Sequence, residues 1–149
     1  MTTRGRYAMM AMFDLALRGE REPVPIKAVA ERQGLSDRYL GQLFTPLRKA
    51  GLVRSVRGAQ GGYVLTRKPD EISVGDVLRA VEGPISPVHC VSDPGACARV
   101  DGCVTRGIWR KLRDRIVEVL DAITLADLCE EAGQEQIGGK APGGVDHHA

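Results

Sequence analysis

The amino-acid sequence predicts a mainly α chain with one small β-hairpin and a long C-terminal helix set apart from the rest. Three observations predict it. Two short amphipathic runs are separated by Gly34-Leu35 and a capping Ser36. Two β-prone runs around a glycine-rich turn follow directly. An apolar stripe at helical spacing then runs from Val104 to Leu120.

The elements follow in order. From Arg4 to Arg18, Met9, Met12, Phe13, Ala16 and Leu17 recur at helical spacing, and Gly19 is the stop. Residues 20–25 are a polar, proline-containing connection. A second helix runs from about Pro25 to Gln33, with proline acceptable in its first turn and Ile26, Val29 and Ala30 facing inward. After the Gly34-Leu35 turn, Ser36 caps a third helix that turns Leu40, Leu43, Phe44 and Leu47 inward and ends at Gly51. Pro46 lies inside it, which predicts a kink or a lost hydrogen bond near residue 42.

Helix, glycine turn and capped helix make a helix-turn-helix. The strands that follow, Leu52–Val56 and Tyr63–Thr66 around the turn Arg57–Gly62, add a hairpin wing, so the reading becomes a winged helix-turn-helix. A fourth helix fits Ser73–Glu82, with Ser73 as cap, Val74, Val77, Leu78 and Val81 inside, and Gly83 as stop. Residues 84–103 hold three prolines and three cysteines with no usable periodicity, a length that calls for a ligand. Val104, Ile108, Leu112, Ile116, Val117 and Leu120 then form a stripe continuing to Ile123, with Trp109 beside it. So wide an apolar face must be buried, and it is read as a dimerisation helix over 104–129. Residues 130–149 are polar and glycine-rich and are expected to be a disordered tail. The expected division is therefore a DNA-binding unit at 1–83, a cysteine-bearing loop at 84–103, the dimer helix and the tail.

Charge supports that division. The net +2 of the 149 residues conceals 13 Lys and Arg against 5 Asp and Glu up to residue 68, and 8 against 14 beyond it. A basic half suits a surface that meets phosphates. The first turn of the third helix would enter a major groove. Arg38 suits guanine and Gln42 adenine, Ser36 and Tyr39 suit phosphates or bases, and Asp37 suits either a cytosine or a local ion pair. Arg57, among the glycines of the wing, suits a minor groove. Lys27, Arg48, Lys49 and Arg54 suit sequence-independent phosphate attraction or simply solvate the surface. No segment has the length and apolar character of a membrane span, and the N-terminus lacks a secretory pattern, so a cytoplasmic location is expected.

In a reducing compartment four cysteines are ligands or sensors rather than disulfides. Cys90, Cys97 and Cys103 are spaced C-x6-C-x5-C, without the close pair that zinc sites prefer. Wide spacing suits an iron–sulfur core, while redox thiols and zinc stay open. No nucleophilic triad, phosphate-cradling loop or paired carboxylates appear, so an enzyme is not expected. Gly58–Gly62 is no phosphate loop, because a strand follows it rather than a helix.

The motifs resemble a known family. Arg4–Ala8, Ser36–Phe44, Leu47–Val53, Ser55–Tyr63, Ile72–Val77, the cysteine triad and Cys103–Trp109 are similar to the bacterial winged-helix iron–sulfur (Rrf-type) transcription regulators, and among them to the IscR-type cluster-assembly regulators, over about residues 3–128. The resemblance implies a homodimeric regulator, mainly a repressor, that binds an operator in double-stranded DNA. It implies that Cys90, Cys97 and Cys103 are ligands of a cluster, with [2Fe–2S] favoured and [4Fe–4S] the other choice. The expected signal is cluster, iron or redox status; the alternative is a cluster-free repressor that responds to thiol redox or to a metabolite. A module that uses its winged helix for protein contacts is a further alternative. There are departures. Relatives with a [2Fe–2S] cluster carry histidine where this chain has Arg106, and relatives that sense nitric oxide carry an acid where it has Arg6. The fourth ligand is therefore unassigned among His89, Asp93, Asp101, Cys129 and an exogenous group. Gly41 replaces a glutamate that helps such relatives choose operators.

Overall fold

The computed structural model describes residues 3–18, 22–85 and 104–137. Helix α1 spans Thr3–Arg18, α2 Ile26–Gln33 and α3 Asp37–Lys49; strands β1 (Val53–Val56) and β2 (Gly62–Leu65) form an antiparallel hairpin. A 3-10 turn at Pro69–Glu71 leads to α4 (Val74–Glu82), and α5 (Arg106–Ala122) and α6 (Leu125–Ile137) complete the described chain. The expected mainly α fold with a hairpin wing is present.

Local chemistry sets the turns. Gly34 closes α2 at φ 70°, a left-handed conformation that costs glycine nothing, and its N–H reaches the carbonyl of Ala30. Ser36 caps α3, its Oγ accepting the N–H of Tyr39 at 3.0 Å. Ser36→Ala is expected to cost about 1 kcal/mol, read as a lower denaturant midpoint at unchanged slope. α3 runs through Pro46 as one element. The missing donor leaves the carbonyl of Gln42 without an intrahelical partner, and Gln42 lies on the exposed side, where water can serve. Pro25 occupies the cap position of α2 rather than its first turn.

The core is built from Leu40, Leu43, Phe44 and Leu47 of α3, Val29 and Ala30 of α2, Val77 and Val81 of α4, and one side of α1. That side is Ala8, Ala11, Met12, Leu15 and Ala16, whereas Leu17 is 46% exposed and Phe13 only half-buried. The stripe expected from Met9 to Leu17 is thus rotated. Its alanines allow α4 and α6 to approach α1 closely, so the buried side follows its neighbours rather than its largest side chains. Val74, expected inside, is half-buried, while Val77, Leu78 and Val81 of α4 are buried as expected.

The wing pairs Val53 with Leu65 and Ser55 with Tyr63. Backbone bonds between Val24 and Tyr63, 2.9 and 2.8 Å, tie it to the segment before α2. Gly62, at φ 155°, lies where a Cβ would collide with the backbone of Val24. On the inner side the Tyr63 ring stacks on Phe44 of α3, centroids 4.4 Å apart and 10° from parallel. Helix α3 and the wing are therefore packed as one block.

The C-terminal part corrects two expectations. The helix expected over 104–129 is two helices that break at Ile123 and Thr124. Thr124 and Asp127 form a reciprocal cap: the Thr124 Oγ1 accepts the N–H of Asp127 at 3.1 Å, and Asp127 Oδ2 accepts the N–H of Thr124 at 3.0 Å. Such a cap starts a new helix, and Leu125 behind it is fully buried in the core. The region expected to be disordered from residue 130 is helical as far as Ile137. α5 meets the rest of the chain through Arg79–Asp121 (2.8 Å) and the Val74–Ile123 backbone bond (2.8 Å). No residue of α5 is buried, and Ile108, Leu112 and Val119 are exposed.

Candidate nucleic-acid interface

The first turn of α3 projects from the block. Ser36, Asp37, Arg38 and Gln42 are exposed, and Arg57 is exposed at the end of β1 where the hairpin turns. The structure therefore presents five of the six expected DNA-contacting residues to solvent. Tyr39 differs: it is half-buried, packs against the core and meets Tyr7 edge-on, centroids 5.7 Å apart and 89° from parallel. Its ring belongs first to packing. Asp37 makes no ion pair among the described residues; it sits in the first turn of α3, where the helix dipole favours a negative charge.

Arg38, Arg57, Lys27, Arg48 and Lys49 are all exposed, and among the described residues none of them pairs with an acid; Arg54 is also exposed and unpaired, but it lies on the opposite face of the wing from Tyr63, away from α3. Unneutralised cations on one block are what a polyanion requires. The hydroxyl of Ser36 accepts from Tyr39 and keeps its own proton available to a phosphate.

Behind α3 lies a feature that sequence reasoning missed. Asp14, on the buried side of α1 and 2% exposed, accepts from Arg32 Nη2 at 2.6 Å, Arg32 Nε at 3.0 Å and Gln33 Nε2 at 3.0 Å. Arg18 lies 3.7 Å away. Burial alone would raise this carboxyl. The hydrogen bonds from Arg32 and Gln33 and the charges of Arg32 and Arg18 outweigh it and hold the group below the usual carboxylate range. The network locks α1 to α2, and both helices pack against α3. The one sequence signal was an acid on an otherwise apolar helix side.

The cysteine triad is not placed. Cys90, Cys97 and Cys103, with His89, Asp93 and Asp101, lie outside the described residues. Cys129 is half-buried against the core on α6, and Arg106 opens α5. Among the described residues no group of three His, Cys, Asp or Glu side chains could hold a metal ion, and no helix is long and apolar enough to cross a membrane.

Comparison with known proteins adds to this geometry. The profile of the Rrf2 family, described as iron-dependent transcriptional regulators, matches residues 1–131. The chain is 47% identical over 137 residues to the HTH-type transcriptional regulator IscR of Aliivibrio salmonicida, covering 92% of this chain and 81% of that one. It is similar to the solved structure of T. potens IscR, with a TM-score of 0.75 at 47% identity over 96% of this chain and 93% of the other. CymR, described as the global cysteine regulator of B. subtilis, gives a TM-score of 0.73 at 44% identity over 88% and 96% of the two chains.

Proposed function

Because this chain belongs to the Rrf2 family of transcriptional regulators, we propose that it is a cytoplasmic, homodimeric repressor that binds an operator in double-stranded DNA and senses cluster, iron or redox status through an iron–sulfur cluster on Cys90, Cys97 and Cys103. The observation that carries the DNA reading is the exposure of Ser36, Asp37, Arg38 and Gln42 on α3, together with an exposed Arg57 on a wing packed against that helix. Arg38 and Gln42 would read base edges, and Ser36 would position the helix on a phosphate. Arg57 would enter the adjacent minor groove.

Support for the cluster comes from the cysteine spacing and from the similarity to IscR proteins. With Arg106 in place of histidine the fourth ligand stays unassigned, and [2Fe–2S] is favoured over [4Fe–4S] by the resemblance alone. Such a group supplies a charge that depends on iron supply and redox state. The similarity to CymR favours the second reading, a cluster-free repressor that responds to thiol redox or to a metabolite.

Absorption spectra with iron and sulfide counts on anaerobically purified protein separate the two. Cluster binding predicts visible absorption that Cys97→Ala abolishes, together with altered operator affinity. A colourless anaerobic protein whose DNA binding responds to thiol oxidants would establish the second reading. For the DNA interface, Arg38→Ala is expected to weaken operator binding about 10- to 100-fold and to relax preference at one base pair. Lys49→Ala is expected to weaken all sequences alike and to reduce the slope of log affinity against log salt by about one. Fluorescence anisotropy on matched and single-mismatch duplexes checks both.

A further inference from the structure

Strand alternation gives the wing two faces. Ser55 and Tyr63 form a cross-strand pair on the face that packs on α3 through Phe44. Arg54, Val56 and Val64 belong to the other face, and they line a cavity of about 510 Å³. Its remaining walls are Ala16 near the end of α1, Pro23 before α2, Leu65 at the end of the hairpin with Thr66 to Lys68 after it, and Pro69 and Glu71 of the 3-10 turn. The walls are fixed: the hairpin by its own pairing and by the Val24–Tyr63 bonds, the turn by proline. The volume is that of a small-molecule site.

Its lining is of two kinds. Arg54, Arg67 and Lys68 contribute three cations against the one carboxylate of Glu71. Among the described residues Arg54 and Lys68 make no ion pair, and Arg67 Nη1 reaches only the backbone carbonyl of Glu71 at 3.5 Å. Ala16, Val56 and Val64 supply apolar surface between them. A DNA backbone would have no use for those methyl groups, and the cavity lies on the face of the hairpin turned away from α3. A lone inorganic anion would leave them empty.

We propose that this cavity is a binding site for a small organic monoanion, a carboxylate with an apolar or aromatic body. The carboxylate would take Arg54 and Lys68, with the body laid against Val56 and Val64. Glu71 selects against a second negative charge. An occupant would bridge the wing and the 3-10 turn, coupling a soluble metabolite to the hairpin that carries Arg57. This site is independent of the cysteines.

The test uses the full chain with 4-phenylbutyrate as probe, followed by the methyl resonances of Ala16, Val56 and Val64. Saturable shifts are expected at all three. The uncharged 4-phenylbutan-1-ol is expected to bind about tenfold more weakly, and Arg54→Ala and Lys68→Gln each about tenfold more weakly at unchanged melting temperature. Both substitutions are at exposed positions outside the core, so the fold survives them. The proposal is overturned by absent or non-saturating shifts, by equal binding of acid and alcohol, or by inorganic phosphate competing as well as the acid. It is equally overturned if the two variants weaken duplex DNA binding and leave phenylbutyrate binding unchanged.

Discussion

Replacing Arg32 by alanine is expected to destabilise the fold by about 3 kcal/mol, lowering the melting temperature by about 6–12 °C. The asymmetry of the pair sets this size. Arg32 is one-third exposed and can be rehydrated, but Asp14 is 2% exposed and cannot. Removing the arginine leaves a buried carboxylate with only Gln33 and the solvent-exposed Arg18, 3.7 Å away. Asp14→Ala removes the charge instead and leaves a solvated arginine, so a smaller loss, about 2 kcal/mol, is expected. The pH dependence gives a second check. A carboxyl whose folded value lies below the unfolded 3.8 contributes stability that is fully present above 3.8 and lost as pH falls through the folded value. Acid unfolding of Asp14→Asn should therefore show a flatter slope in that window than the parent. Equal slopes would mean that the carboxyl titrates alike folded and unfolded.

The second large effect is expected on α5. Ile108→Glu combined with Leu112→Glu should give a monomer in analytical ultracentrifugation and reduce operator affinity by about 100-fold, with the circular dichroism of the protomer retained. Ile108, Leu112 and Val119 are exposed at spacings of four and seven, a seam suited to a matching helix from a second copy. No residue of α5 is buried in the protomer, so the substitutions touch no core of their own chain. In the proposed homodimer the loss would arise because two copies on one operator raise each other's effective concentration. A dimer that survives both charges would locate the subunit contact elsewhere.

The block of α2, α3 and wing was legible because short-range chemistry writes it. Gly34 and Ser36 are turn and cap by residue type, and Leu40, Leu43, Phe44 and Leu47 keep their helical spacing. What escaped was decided by partners far along the chain. The buried side of α1 is chosen by α4 and α6, which favour small residues there over Leu17. Asp14 meets groups 18 and 19 positions away, which no local pattern encodes. The break before Leu125 was written in Thr124 and Asp127, a cap signature masked by an apolar period that continues to Ile123. Of the candidate site, the exposed positions Ser36, Asp37, Arg38, Gln42 and Arg57 could be named from helix and wing, but Tyr39 could not be told from its neighbours before Tyr7 was seen against it.

The attachment of α5 has a mechanical consequence. Among the described residues, the polar bonds that join α5 to the head of α1–α4 and wing are Arg79–Asp121 and the backbone bond at Ile123, both near its C-terminal end. Its 17 residues make a rod about 25 Å long. A rotation of about 5° at that joint moves the Arg106 end by about 2 Å, the size of displacement that helices make at subunit interfaces when proteins switch state. Conversely, a nudge delivered at the start of α5 arrives at the head as a change of angle. In the proposed homodimer, the angle at this joint would set the spacing between the two copies of α3.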